Sequence, residues 1–191
     1  TRGAWVISKT STHYGRDAQM YDSSFGWRFV NPLMAEKFGT EGMGETAENL
    51  LDQNTISRED QDKFAAWSHK KAAAAQLSGR FSKEIVPVLI PQRKADPFVF
   101  DQDEFIKPGS TVEILAKLRP TFRKNGSVTA GNSSGLNDGA AAVLVASDAA
   151  LKTHGLKPIA RIVTSAVAGV EPRIMGIGPV NSTKLALKRA S

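Results

Sequence analysis

Val128-Thr-Ala-Gly-Asn-Ser-Ser-Gly-Leu-Asn-Asp-Gly-Ala-Ala-Ala-Val-Leu-Val-Ala-Ser147 changes midway from a polar, glycine-rich half to an apolar half. Gly131, Gly135 and Gly139 let the backbone approach a ligand or another backbone closely. Residues 140–146 are alanine, valine and leucine, which predicts a strand buried on both faces of a sheet. The stretch holds neither a G-x-G-x-x-G motif nor a P-loop. It therefore predicts a polar loop that leads directly into a core strand.

The remaining patterns alternate between helix and strand. Helices are predicted at residues 46–51, 57–77, 111–117, 148–154 and 182–190, and strands at 84–90 and 159–167. Residues 1–32 are predicted to be an extended excursion and residues 91–110 a surface loop. This alternation indicates the α/β class. Two core strands cannot form a sheet that buries both faces, so we expect their partner strands to lie outside this chain.

The longest predicted helix has clear signals at both ends. Ser57 and Asp60 form a capping-box-like start, and Gly79 provides the stop. The apolar residues of this helix are expected to line its buried side; they are Phe64, Trp67, Ala74 and Leu77.

The composition is that of an ordinary globular protein. The chain has 191 residues, of which 41% are hydrophobic and 23% charged, enough for one domain or slightly more. It has no cysteine and three scattered histidines (His13, His69 and His154) for which the sequence suggests no partner, so no metal site is predicted. No membrane-length apolar stretch or signal peptide is evident, and a cytoplasmic location is expected.

The net charge of +6 and the isoelectric point near 9.7 favour an anionic ligand. Nucleic acid is one candidate for such a charge. However, the basic residues are dispersed and form no Lys/Arg-rich helix, so nucleic acid is not predicted as a partner. A small polyanion fits the pattern better, because a basic binding site raises its capture rate.

Seven stretches, in one order along the chain, resemble the thiolases (acyl-CoA acetyltransferases). They are residues 128–147 together with 26–32, 43–49, 57–62, 84–87, 118–120 and 175–179. The segment Gly26-Trp-Arg-Phe29 is most similar to degradative thiolases that act on 3-oxoadipyl-CoA. The resemblance implies a partial thiolase fold, with the loop domain and core strands of the αβαβα sandwich. It assigns residues 1–135 to the loop domain and its lead-in, 136–170 to the end of the N-terminal domain, and 171–191 to a truncated start of the C-terminal domain.

The resemblance also implies a coenzyme A site. Ser134 matches a serine that contacts the pantetheine arm, and Ala130 and Leu136 match its apolar contacts. Lys107 stands where related enzymes often carry arginine over the adenine and phosphate end, and Phe122 matches a residue on the adenine side. Without the resemblance, Ser134 would be assigned to its own turn, Lys107 to solvent and Phe122 to the core.

Two methionines are implied in the substrate pocket. Met43 matches a residue that lines the acyl pocket, and Met175 matches one close to the reactive thioester. Methionine is a common gap-filler in cores, so core packing is the alternative for both.

The implied reaction transfers an acyl group between a 3-oxoacyl-CoA and coenzyme A and releases acetyl-CoA. It needs an activated cysteine, a histidine and a second cysteine, none of which is matched here, so no catalytic residue is predicted and the chain alone should be inactive. Coenzyme A thioesters are substrates, with no permanently bound cofactor. The family implies a homodimer or homotetramer and a role in fatty-acid or aromatic degradation. The alternative is a non-catalytic coenzyme A-binding or interaction module.

Overall fold

A computed structural model describes residues 3–24 and 26–191 of the chain. The chain divides into two units, one formed by Thr1–Leu50 with Leu136–Ser191 and the other by Leu51–Gly135. The three-part division inferred from the sequence refers to the domains of a complete thiolase and stays a prediction.

Helices and short strands are mixed throughout the described residues. In chain order they are β1 (Trp5–Ile7), β2 (Met20–Asp22), α1 (Pro32–Phe38), α2 (Met43–Gln53), α3 (Arg58–Leu77), β3 (Val88–Ile90), β4 (Phe98–Phe100), α4 (Val112–Leu115), α5 (Asp148–His154) and α6 (Gly178–Ala190). Two turns of 3-10 helix occupy Phe81–Lys83 and Pro172–Ile177. The α/β class predicted from the sequence is confirmed.

The long helix α3 begins where its capping residues predict. The Ser57 hydroxyl accepts a hydrogen bond from the Asp60 amide at 3.0 Å and donates one to the Asp60 carboxylate at 2.7 Å. After Ser78 the chain turns through Gly79, whose φ of 70° favours glycine. The predicted buried side is wrong, because its apolar residues, for example Phe64 at 67%, are exposed. The buried members of α3 are instead Asp62 and Ala73.

The shorter elements follow the sequence to different degrees. Helix α5 has the predicted bounds, with Ser147 as its N-cap and Gly155 in the left-handed conformation after it. Helices α2 and α6 begin earlier than predicted, and α4 is shorter. The predicted strand at 84–90 is reduced to β3, which pairs with β4 through Leu89 and Val99. Strand β4 lies in the predicted surface loop, where nearby prolines and charges concealed it. β1 and β2 form a second antiparallel hairpin.

The two predicted core strands do not form hydrogen-bonded strands. Residues 140–146 and 159–167 are irregular, and their large apolar side chains are exposed, with Val143 at 88% and Val167 at 89%. A strand that is apolar on both faces requires neighbours at its edges and layers above and below. Neither unit supplies these neighbours, so the prediction of burial is wrong for this chain.

Candidate functional site

The glycine-rich loop, residues 129–135, is a turn closed by its own polar groups. The Thr129 amide donates to Asn132 Oδ1 at 2.7 Å, and the Thr129 hydroxyl accepts from the amides of Gly131 and Asn132 at 3.2 and 3.3 Å. The Ser133 hydroxyl donates to the Thr129 carbonyl at 2.6 Å. Thr129 is fully buried. The turn is therefore satisfied by Thr129, Asn132 and Ser133, whereas Ser134 is exposed.

Gly131 packs against the segment that follows α4. A Cβ atom at this position would lie 2.5 Å from Leu118 Cδ1 and 2.6 Å from Leu115 Cδ2. Both distances are shorter than any ordinary carbon contact. The close neighbours of this glycine are therefore leucine side chains, and not the ligand or second backbone that its sequence suggested.

A buried polar network fixes the loop to α3. Asn132 Nδ2 donates to Asp62 Oδ1 at 3.0 Å and to the Ser127 carbonyl at 3.1 Å. Asp62 Oδ2 accepts from Arg58 Nε at 2.8 Å, and the Arg58 guanidinium donates to the carbonyls of Leu115 and Leu118 at 2.7 and 3.0 Å. We call Arg58, Asp62 and Asn132 the anchor network. It connects the helix, the loop and the end of α4.

The anchor network was not predicted from the sequence. Arg58 and Asp62 lie one turn apart on a helix, and such pairs usually lie on a solvated face. The available signal was the short polar run 57–62, which was interpreted as a helix cap and as one of the stretches that resemble thiolases.

The predicted residues of unit 51–135 lie on its surface. Ala130 and Ser134 are exposed on the loop, and Phe122 is 46% exposed, so it is not a core residue. The Thr121 amide donates to the Val128 carbonyl at 3.0 Å, which holds the segment of Phe122 beside the start of the loop.

Lys107 is held by a histidine for which the sequence suggested no partner. The Lys107 amide donates to His69 Nδ1 at 3.2 Å, and its ammonium group donates to the Glu104 carbonyl at 3.3 Å. The His69 ring also lies 6.2 Å from the ring of Phe105. The expectation that His69 has no partner is therefore wrong, because it joins α3 to the segment of Phe105 and Lys107.

The remaining predicted residues belong to the other unit, and all three are exposed. These are Leu136, Met43 and Met175. The segment of Met175 is fixed to α2, because Asn49 Nδ2 donates to the Arg173 carbonyl at 3.0 Å. Arg173 also pairs with Glu41, just before α2, through Nε and Oε1 at 2.6 Å. Met43 opens that same helix.

The carboxyl group of Glu41 has a pKa below its ordinary value of 4.5. A hydrogen bond from its own backbone is the main cause of the lowered pKa; burial opposes it, and Arg173 and Asn49 lower the pKa further. An open cavity of about 460 Å³ in this unit is lined by residues that include Glu41 and Arg173, and the predicted methionines are not among them.

Residues 3–24 and 26–191 include no cluster of three or more side chains suited to a metal ion. Among the same residues, no helix has the length and apolarity needed to span a membrane.

Comparison with known proteins assigns the family. The family described as "Thiolase, N-terminal domain" matches residues 8–149. The chain belongs to the thiolase family. A 3-oxoadipyl-CoA/3-oxo-5,6-dehydrosuberyl-CoA thiolase from Escherichia coli is 50% identical over 190 residues, which cover 100% of this chain and 47% of the relative. A beta-ketoadipyl-CoA thiolase from Acinetobacter baylyi is 49% identical over 191 residues, covering 100% of this chain and 48% of the relative.

The solved structures agree. The acetyl-CoA acetyltransferase of Bacillus anthracis superposes with a TM-score of 0.79 at 41% identity, covering 97% of this chain and 46% of that protein. This thiolase chain therefore spans about half the length of the relatives it matches, and the partial thiolase fold expected from the sequence is confirmed.

Proposed function

We propose that this chain provides the coenzyme A-binding loop domain of a degradative thiolase. The complete protein would transfer an acyl group between a 3-oxoacyl-CoA and coenzyme A and release acetyl-CoA. The observation that carries the proposal is the glycine-rich loop, fixed by the anchor network, with Ser134 exposed upon it.

A pre-formed loop suits a long, flexible ligand. Immobilising a side chain or loop on binding costs about 0.5–1.5 kcal/mol for each ordered group. The bonds among Thr129, Asn132 and Ser133 order this loop in advance. The Ser134 hydroxyl can then donate to or accept from an amide of the pantetheine arm, with Ala130 and Leu136 beside its methylene groups.

The basic character of the chain suits the other end of coenzyme A. The net charge of +6 attracts its phosphates, and Lys107 is the residue proposed to face them. Lysine acts as a point charge without the bidentate geometry of arginine. Phe122 offers an exposed ring for the adenine side.

The proposed substrate is a 3-oxoadipyl-CoA-like thioester of aromatic degradation, with Met43 and Met175 near its acyl part. This choice follows the printed names of the relatives at 49–50% identity. The acyl-enzyme step needs a thiolate, and the 191 residues contain no cysteine. The complete protein would supply that group and act as a homodimer or homotetramer in the cytoplasm, without a permanently bound cofactor.

The test is Ser134→Phe in a complete thiolase that carries these residues. A bulky ring in the pantetheine channel should raise the KM for coenzyme A at least about tenfold, the equivalent of about 1.4 kcal/mol. Ser82→Phe, at another exposed serine of the same unit, is the matched control and should leave the KM unchanged. An unchanged KM for Ser134→Phe would remove the site from this loop. Saturable binding of coenzyme A without any turnover would instead indicate a non-catalytic binding module.

A further inference from the structure

Asp62 is a buried carboxylate at the centre of the anchor network. Only 1% of its surface is exposed, although α3 is otherwise largely solvated. Burying a charge is unfavourable unless hydrogen bonds and an opposite charge compensate it. Here both carboxylate oxygens are used, Oδ1 by Asn132 and Oδ2 by Arg58.

A second ion pair on the same helix provides the contrast. Lys63 and Glu59 are also one turn apart, at 2.7 Å, but both side chains are more than half exposed. Their ion pair is confined to α3. Asp62 instead connects α3 to a loop 70 residues further along the chain. The burial of Asp62 is therefore explained by its bond to the loop rather than by the stability of α3.

The chemistry of the carboxylate determines which way the Asn132 amide faces. An ionised carboxylate only accepts hydrogen bonds, whereas an asparagine side chain has one accepting and one donating end. Asp62 must therefore meet the Nδ2 end of Asn132. That arrangement leaves Oδ1 directed at the Thr129 amide, the 2.7 Å bond that closes the turn.

We propose that Asp62 is a positioning residue for coenzyme A. Acting through Asn132, it fixes the backbone from Thr129 to Ser134 and so the direction in which the Ser134 hydroxyl is presented. Arg58 holds the carboxylate in place and ties it to the end of α4. This inference rests on the proposed function, because it concerns the same loop.

The test compares Asp62→Asn and Asp62→Ala with Glu59→Gln in a complete thiolase that carries these residues. Steady-state thiolysis is measured with coenzyme A and with pantetheine, which lacks the adenine and phosphate end. Because the loop is assigned to the pantetheine arm, the KM values for both thiols should rise by the same factor, about tenfold for Asp62→Ala, corresponding to the loss of one hydrogen bond to a charged group. Asp62→Asn, which keeps the volume and one acceptor, should show a smaller rise, and Glu59→Gln none.

Three outcomes would separate the possibilities. A lower melting temperature with both KM values unchanged would show that Asp62 is only structural and overturn the inference. A rise for coenzyme A but not for pantetheine would also overturn it, because the effect would lie at the phosphate end. If the unsubstituted enzyme shows no saturable dependence on coenzyme A, the proposed function fails instead. Should Asp62→Ala not fold, the isosteric Asp62→Asn decides by the same comparison.

Discussion

The glycine-rich loop and the apolar segment that follows it are adjacent in sequence and opposite in structure. In the loop, Thr129 is fully buried and its polar groups find partners within the chain. In residues 140–146 the valine and leucine side chains are exposed, with Leu144 at 81%. A turn that packs on one helix needs only hydrogen bonds from nearby residues and from one long-range network. A strand that is apolar on both faces needs neighbouring strands at its edges and covering layers on both sides. Its sequence pattern is therefore clear, but the strand forms only where those other elements are present.

The largest effect concerns catalysis by the isolated chain. We expect no thiolysis above the uncatalysed rate, because the chain offers four methionine thioethers and no thiol, and thioethers do not accept acyl groups. The assay measures the cleavage of acetoacetyl-CoA through the decrease in its magnesium-enolate absorbance. The complete enzyme is the positive control. Turnover by the homogeneous 191-residue chain, with its mass verified, would contradict this prediction.

The next prediction tests whether the anchor network is what orders the loop. Asp62→Ala leaves Arg58 and Asn132 without their shared partner and should lower the local stability by about 3–5 kcal/mol. Glu59→Ala, in the exposed pair of the same helix, should cost less than about 1 kcal/mol. Hydrogen exchange of the amides of residues 129–135 in a complete thiolase measures both values. If the two variants lose the same amount of local stability, the burial of Asp62 makes no contribution of its own to that stability.

A smaller effect is expected when two glycines are replaced by alanine, one in the glycine-rich loop and one beside the exposed apolar segment. Gly131→Ala places a methyl group against Leu115 and Leu118 and should cost about 1–3 kcal/mol of stability. Nothing lies within 4 Å of a Cβ at Gly139, so Gly139→Ala should change the stability of the isolated chain by about 0.5 kcal/mol or less. Thermal unfolding compares them. If Gly139→Ala is also costly there, residues 136–146 are packed in solution and the contrast fails.

The smallest effect is a pH dependence in the other unit. The pKa of Glu41 is lowered in the folded protein, so its contribution to stability is present above the ordinary value of 4.5 and is lost as the pH falls through the lower folded pKa. Glu41→Gln should therefore be slightly less stable than the unsubstituted protein near neutral pH and equal to it in acid. Melting temperatures across the acid range measure the difference. A difference that persists in acid would show that the charge of Glu41 is not its source.

The sequence predicted local features well and long-range ones poorly. The cap at Ser57 and the bounds of α5 were predicted correctly, because each depends on residues within one turn. The contact between Asp62 and Asn132 spans 70 residues and has no local signature. Strand β4 was missed for a different reason: the prolines and charges around it are typical of a loop, although its partner β3 is close in sequence.

The candidate site likewise has a part that the sequence predicted and a part that it did not. Its loop was located from glycine and asparagine content together with the resemblance. Its support on α3 could not be predicted, because a pair such as Arg58 and Asp62 has the same spacing whether it is exposed or buried. The roles of Ser134, Ala130, Leu136, Lys107, Phe122, Met43 and Met175 stay predictions.

The bond between Asp62 and Asn132 also bears on the order in which the structure assembles. Helix α3 carries its own start signal, so it can form from neighbouring residues, whereas docking of the loop must close 70 residues of chain. We therefore expect the helix to be complete before the loop is in place. A chain that emerges and folds in this order forms helix α3 first and positions the glycine-rich loop last.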